Sequence, residues 1–156
     1  MTVTPAQFAA LRAALDGDEE TVDRLAASPG FLGGEGFPIL VAAAFVSAAQ
    51  RRFPTGWSPG DVVRFVGHLR VRNGAAGEDL SATATEQMLL SALRGEVVGG
   101  EFDEATKGIA QVALLMELVR DFDEQELSTF LAEAREQADA WLAQHGHSLT
   151  GRECRA

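Results

Sequence analysis

An all-α fold, a bundle of about six to eight helices with no sheet, follows from three observations. Helix-start signals recur along the chain, and apolar residues repeat at spacings of three and four. No stretch of four or more residues alternates apolar and polar as a half-buried strand would.

Thr4-Pro5-Ala6-Gln7 opens the first helix. The threonine is an N-cap, the proline occupies the first position where its missing N–H is harmless, and the glutamine completes a capping box. Phe8, Leu11, Ala14 and Leu15 then share one face. Asp18 caps a shorter helix with Val22, Leu25 and Ala26 inward. Residues 38–50 are apolar on almost every side, as in a helix covered all round. Ser58-Pro59-Gly60-Asp61 repeats the first start, with Asp61 a weaker stand-in for Glu or Gln. Val62, Phe65, Val66 and Leu69 follow at i, i+3, i+4 and i+7.

Thr83-Ala84-Thr85-Glu86 reads as the start of a fifth helix, with Met88, Leu89, Ala92 and Leu93 inward. Asp103 caps a sixth, whose stripe is Ile109, Val112, Ala113, Met116 and Val119, widened by Leu114, Leu115 and Leu118. Asp123-Glu124-Gln125-Glu126 opens the last, and Phe122 is placed to staple onto Leu127. Its inward residues are Leu127, Phe130, Leu131, Ala134, Ala138, Trp141 and Leu142. Helices 38–50 and 103–121 are expected to be the most buried. Turn residues separate the helices at Gly17, Ser28 to Gly36, Pro54-Thr55-Gly56, Asn73-Gly74, Gly95 and Gly99-Gly100. Residues 1–145 read as one helical domain and 146–156 as a flexible C-terminal tail.

Composition bounds the function. At 156 residues, one domain buries roughly 68–70% of its unfolded surface, enough for a core without disulfide or metal. Cys154 is the single cysteine, so no intrachain disulfide forms. The first residues lack a basic region followed by an apolar stretch, which argues against a secretory leader. The longest apolar run, Phe37 to Ala49, falls short of the ~20 residues of a spanning helix. Cytoplasm is the expected location. Twelve arginines against one lysine, with 26 alanines, suggest a GC-rich bacterial coding sequence.

Against a net charge of −10, the segment Arg51 to Arg72 holds five arginines and one acid, Asp61. Such an island marks a place where something anionic docks: a partner, a ligand, or the protein's own acidic helices. Arg51 and Arg52 end a helix, where cations meet the negative end of its dipole. Asp61, Arg64, His68 and Arg72 recur at three and four along the next helix. Among 23 acids, the expected partners of these arginines are neighbours such as Glu117, Asp121, Glu133 and Glu136. Trp57 and Phe53, beside Arg51 and Arg52, have the composition of an interface hot spot. They equally suit a role closing the core between two helices.

Other chemistries fail on spacing. A helix-turn-helix needs a turn of about three or four residues, whereas about eight separate Gln50 from Pro59, and the net charge opposes nucleic acid. Phe31 to Phe37 is glycine-rich but lacks the full phosphate-loop signatures. His145 and His147 are two apart, the wrong spacing for helix-borne ligands, so no metal or other cofactor is expected. His68 has no nucleophile beside it, and no serine elbow or paired carboxylates stand out. The function expected is therefore non-enzymatic: a protein–protein interaction or regulatory module whose partner is another protein or a second copy in a homodimer (a two-fold contact of basic stripe and acidic helix), with no membrane. The alternative is an anion-binding protein or enzyme whose polar wall is Arg51, Arg52, Arg64 and His68, with Phe53 and Trp57 as its apolar wall.

Overall fold

The computed structural model describes residues 2–27, 36–95 and 102–153, with side chains as far as residue 144. Over those residues the chain is all-α. It forms eight helices and no strand: α1 Pro5–Leu15, α2 Glu19–Ala26, α3 Gly36–Arg52, α4 Pro59–Arg72, α5 Gly74–Glu78, α6 Ala82–Arg94, α7 Glu104–Leu118 and α8 Glu124–Glu153. Most of the glycine-rich stretch Phe31 to Phe37 lies outside the described residues. The chain divides into two compact units, 1–44 with 122–156, and 45–121, so one boundary falls inside α3. No helix among the described residues is long and apolar enough to cross a membrane.

In the first unit the capping box of α1 is complete. Thr4 Oγ1 accepts the Gln7 N–H at 3.2 Å and Gln7 Oε1 accepts the Thr4 N–H at 3.0 Å, satisfying donors a helix start leaves open. Val3, just ahead of α1 and buried, is gripped by α8 through its backbone. Its N–H donates to Asp139 Oδ1 at 2.7 Å, and its carbonyl accepts from Arg135 Nη2 at 3.5 Å. Arg135 and Asp139 are four apart and share a helix face. The Arg135 guanidinium also lies 5.2 Å from the Phe8 ring centroid. Farther along, Arg12 donates to Ser128 Oγ at 2.7 Å.

Of the expectations for this unit, only the inward position of Trp141 needs adjustment. Phe122 sets its ring edge-on to Phe130, with centroids 5.5 Å apart. Trp141 is 40% exposed, because it sits at the margin of the stripe formed by Phe130, Leu131, Ala134, Ala138 and Leu142. Helix α8 runs from Glu124 to Glu153, into the stretch read as a C-terminal tail.

In the second unit the shorter Asp61 closes a full capping box. Asp61 Oδ2 accepts the Ser58 N–H at 2.9 Å and Ser58 Oγ accepts the Asp61 N–H at 3.4 Å. Helix α4 buries Val62, Val66 and Leu69. Helix α5 was hidden in the turn Asn73-Gly74, because five residues are too few to show a helical period. It folds back so closely that a Cβ on Gly77 would lie 2.0 Å from the Arg70 carbonyl oxygen. Arg70 Nε donates to the Gly77 carbonyl at 3.2 Å. Helix α6 starts at Ala82, not at the box read from Thr83: Ser81 Oγ accepts the Ala84 N–H at 3.2 Å. Thr85, fully buried, is used instead to donate back to the Ser81 carbonyl at 2.6 Å. The helix ends on Gly95 at φ 69°, the left-handed cap that glycine adopts without strain.

Helix α7 corrects a larger expectation. It buries Ala110, Leu114, Leu115 and Leu118, while Ile109, Val112 and Met116 are 63%, 49% and 45% exposed. It is covered on one side only. Its apolar residues encircle the helix, so periodicity alone selects no inner face.

Two expected outcomes follow. Gly77→Ala forces backbone apart at the α4–α5 corner and should cost about 1–3 kcal/mol; a urea midpoint equal to wild type would refute the close approach. Asp18, Asp61 and Asp103 are held below the ordinary carboxylate range. The causes are the Thr21 hydroxyl and then its N–H for Asp18, the Ser58 N–H and then Arg64 for Asp61, and the Thr106 hydroxyl and then its N–H for Asp103. A lowered folded value gives stability that is full above the unfolded pKa of about 4 and lost as pH falls through the folded value. Stability should drop on acidification less steeply in the Asp18→Asn, Asp61→Asn, Asp103→Asn variant, which keeps the capping oxygens. Parallel curves for the two proteins would contradict this.

Candidate functional site

The basic island resolves into separate local pairings within the second unit. Arg52, in the last turn of α3, places its guanidinium 5.4 Å from the Phe53 centroid and 5.7 Å from that of Phe65. Those rings meet edge-on at 5.5 Å, and Phe53 is buried. This is cation–π packing against a core aromatic pair. Trp57, half-buried in the connector to α4, carries the Arg94 guanidinium at 5.8 Å. Phe53 and Trp57 thus each receive an arginine of their own chain. Arg51 is exposed and lies at the negative end of α3.

On α4, the next helix, Arg64 pairs with Asp61, three residues earlier, and its side chain stays 70% exposed. Arg72 Nη1 reaches Glu117 Oε1 at 2.8 Å, with the Glu117 side chain only 12% exposed. Arg120 lies 4.0 Å from the other Glu117 oxygen. Glu117 is one of the acids expected to take an arginine, and the pair ties the end of α4 to α7. His68 is exposed. The structure therefore brings Arg64, His68 and Arg72 onto one side of α4, and engages the first and last with acids.

The neighbouring side of α4 was missed in the sequence. Val63 is 52% and Val71 83% exposed, with Gly67 midway between them. The signal was present: the three stand at i, i+4 and i+8, away from the buried row Val62, Val66 and Leu69. A Cβ on Gly67 would meet nothing within 4 Å, although glycine inside a helix costs about 1 kcal/mol relative to alanine. Beyond Val71 an open groove of about 510 Å³ runs toward α5, lined by Gly67, Arg70, Val71, Gly74, Gly77 and Glu78. One cation, one acid and four small or apolar residues line it. Among the described residues no group of three or more His, Cys, Asp or Glu side chains is placed to hold a metal ion.

Comparison with protein-family models, with curated proteins and with solved structures finds no match in any of the three. The chemistry of this face rests on its own geometry.

The two ion pairs on α4 should differ in worth. Arg72→Met removes the nearest cation from a mostly buried carboxylate and should cost about 1–3 kcal/mol. Arg64→Met breaks an exposed pair worth roughly 0–1 kcal/mol. Equal shifts in denaturant midpoint for the two variants would show that Glu117 does not anchor α4.

Proposed function

We propose that the protein is a non-enzymatic binding module that engages another protein through the outer side of α4. The observation that carries this reading is the exposure of Val63 and Val71 beside Arg64 and His68. Apolar contact area lies in the middle of this surface and polar groups at its margin, the arrangement found at protein interfaces. Val71 in particular gives up burial at a helix position where a polar residue would cost nothing. The uncovered side of α7, Ile109, Val112 and Met116, adds apolar surface to the same unit.

The rival reading, an anion-binding protein or enzyme, has less behind it. Arg64 is engaged by Asp61 in the open, Arg52 is spread over two rings, and Glu78 lines the groove. Among the described residues these placements leave no converging set of cations for a phosphate or carboxylate. Cytoplasmic operation suits the single cysteine and the lack of a spanning helix among the described residues. The arginine- and alanine-rich composition supports a bacterial source.

Affinity co-purification from the native host discriminates the readings. A wild-type bait should retain a protein that the Val63→Ser, Val71→Ser bait loses. A thermal-shift screen with inorganic phosphate, nucleotides and carboxylates should leave the midpoint unmoved, since only a native-state ligand raises it. A clear shift with one of these anions, abolished by Arg64→Ala, would sink the binding-module reading.

A further inference from the structure

Independently of the docking reading, we infer that Asn73 is a site of spontaneous covalent modification, converting to aspartate and isoaspartate at a rate set by the opening of α5. Asn73 is the only asparagine of the chain, and a glycine follows it. The backbone nitrogen of Gly74 attacks the Asn73 Cγ and the Cγ–Nδ2 bond breaks, so that ammonia leaves with the proton of that N–H. Water then opens the cyclic imide. Cleavage between the nitrogen and Cγ leaves aspartate; cleavage between the nitrogen and the original main-chain carbonyl carbon leaves isoaspartate, whose chain runs through the side chain. Water is taken up and ammonia released, and no other reactant is needed. Glycine carries no side chain to hinder its own nitrogen. Both residues are exposed, and nothing stands within 4 Å of a Cβ at Gly74.

The fold holds this reaction back until α5 moves. Asn73 stands between α4 and α5 with right-handed helical backbone, φ −87° and ψ 0°. Ring closure needs the Gly74 nitrogen swung round beside the Asn73 side chain, which that backbone does not allow. The side-chain amide is also turned away. Its Nδ2 donates to the Leu69 carbonyl at 2.7 Å, the same oxygen that accepts the Asn73 N–H at 3.2 Å. Release takes little, because α5 has five residues and buries only Gly77, and short exposed elements open most readily. The products do not fit back. Aspartate sets a carboxylate oxygen where a donor stood, against the Leu69 carbonyl and the negative end of α4. Isoaspartate lengthens the main chain just before α5 returns to Arg70, so closely that no Cβ fits at Gly77. Conversion therefore unseats α5 and the groove wall that Gly74 and Gly77 form.

The test is peptide mass spectrometry on purified protein held at mildly alkaline pH, native and unfolded in guanidinium. The mass gain of amide-to-acid conversion is expected at Asn73 in both, at least about tenfold slower in the native protein, since only opened molecules react. Asp16-Gly17 can form the same imide, but without a change in mass. Gly77→Ala, which wedges the α4–α5 corner, should speed native conversion severalfold. Asp139→Ala, which loosens the Val3 clamp in the other unit, should leave the rate unchanged. Asn73→Asp should lower the urea midpoint. Native conversion as fast as in guanidinium, or none over an incubation about a hundredfold longer than the unfolded chain requires, overturns the inference. Equal acceleration by Gly77→Ala and Asp139→Ala also overturns it, because global unfolding would then set the rate. So does an unchanged midpoint for Asn73→Asp, which would leave α5 seated after conversion.

Discussion

Burial of Val62, Val66 and Leu69 fixes the rotation of α4 about its axis, and the outer surface of the second unit follows from it. All three are at most 1% exposed, and each such side chain contributes about 1.5–3 kcal/mol to keeping its face inward. Successive residues on a helix stand 100° apart. Turning α4 by one position would bring Val63, Gly67 and Arg70 inward and leave a void at Gly67 with a charge beside it. The exposed row of valines is therefore imposed by the row that is buried. Arg72 reinforces the setting from the far end, because Glu117 is too covered to be satisfied by water alone.

Much of the fold was legible in the residues because helix starts are local chemistry. Thr4, Asp18, Ser58, Asp103 and Asp123 each accept a hydrogen bond from an N–H three residues on, and no distant contact is needed to decide that. Thr83 failed because the cap competes with burial. Thr85, two residues later, is wholly enclosed, and the helix starts early enough to let it bond back to Ser81. Helix α5 depends on contact between Gly77 and Arg70, seven residues apart, which no periodicity encodes. For α7 the leucines and the set Ile109, Val112 and Met116 are equally apolar, so the inner side is a property of its neighbours.

The candidate surface was only half legible, for a related reason. Charge is additive along a sequence, so the island from Arg51 to Arg72 stood out at once. Pairing is not additive. Arg52 is absorbed by two phenylalanines, Arg70 by a carbonyl, and Arg72 by Glu117. What is left in the open is Arg51 at the end of α3, the ion-paired Arg64, one histidine and two valines, and the valines carried no signal in a charge count. Surface electrostatics in this protein thus reflect which cations the fold has already engaged more than how many it possesses.

The two units also differ in when they can form. The second is a continuous segment, 45–121. The first joins the two ends of the chain, and its clamp on Val3 reaches across 136 positions to Asp139. Loop closure grows slowly dearer with separation, and distant pairings slow folding. During synthesis from the N-terminus, α1 and the first half of α3 emerge well before the helix that grips Val3 exists. The part of the first unit that α8 supplies is missing for the whole time the intervening helices are being made. Time spent waiting, more than final stability, is the vulnerability that the Val3 clamp builds into this chain.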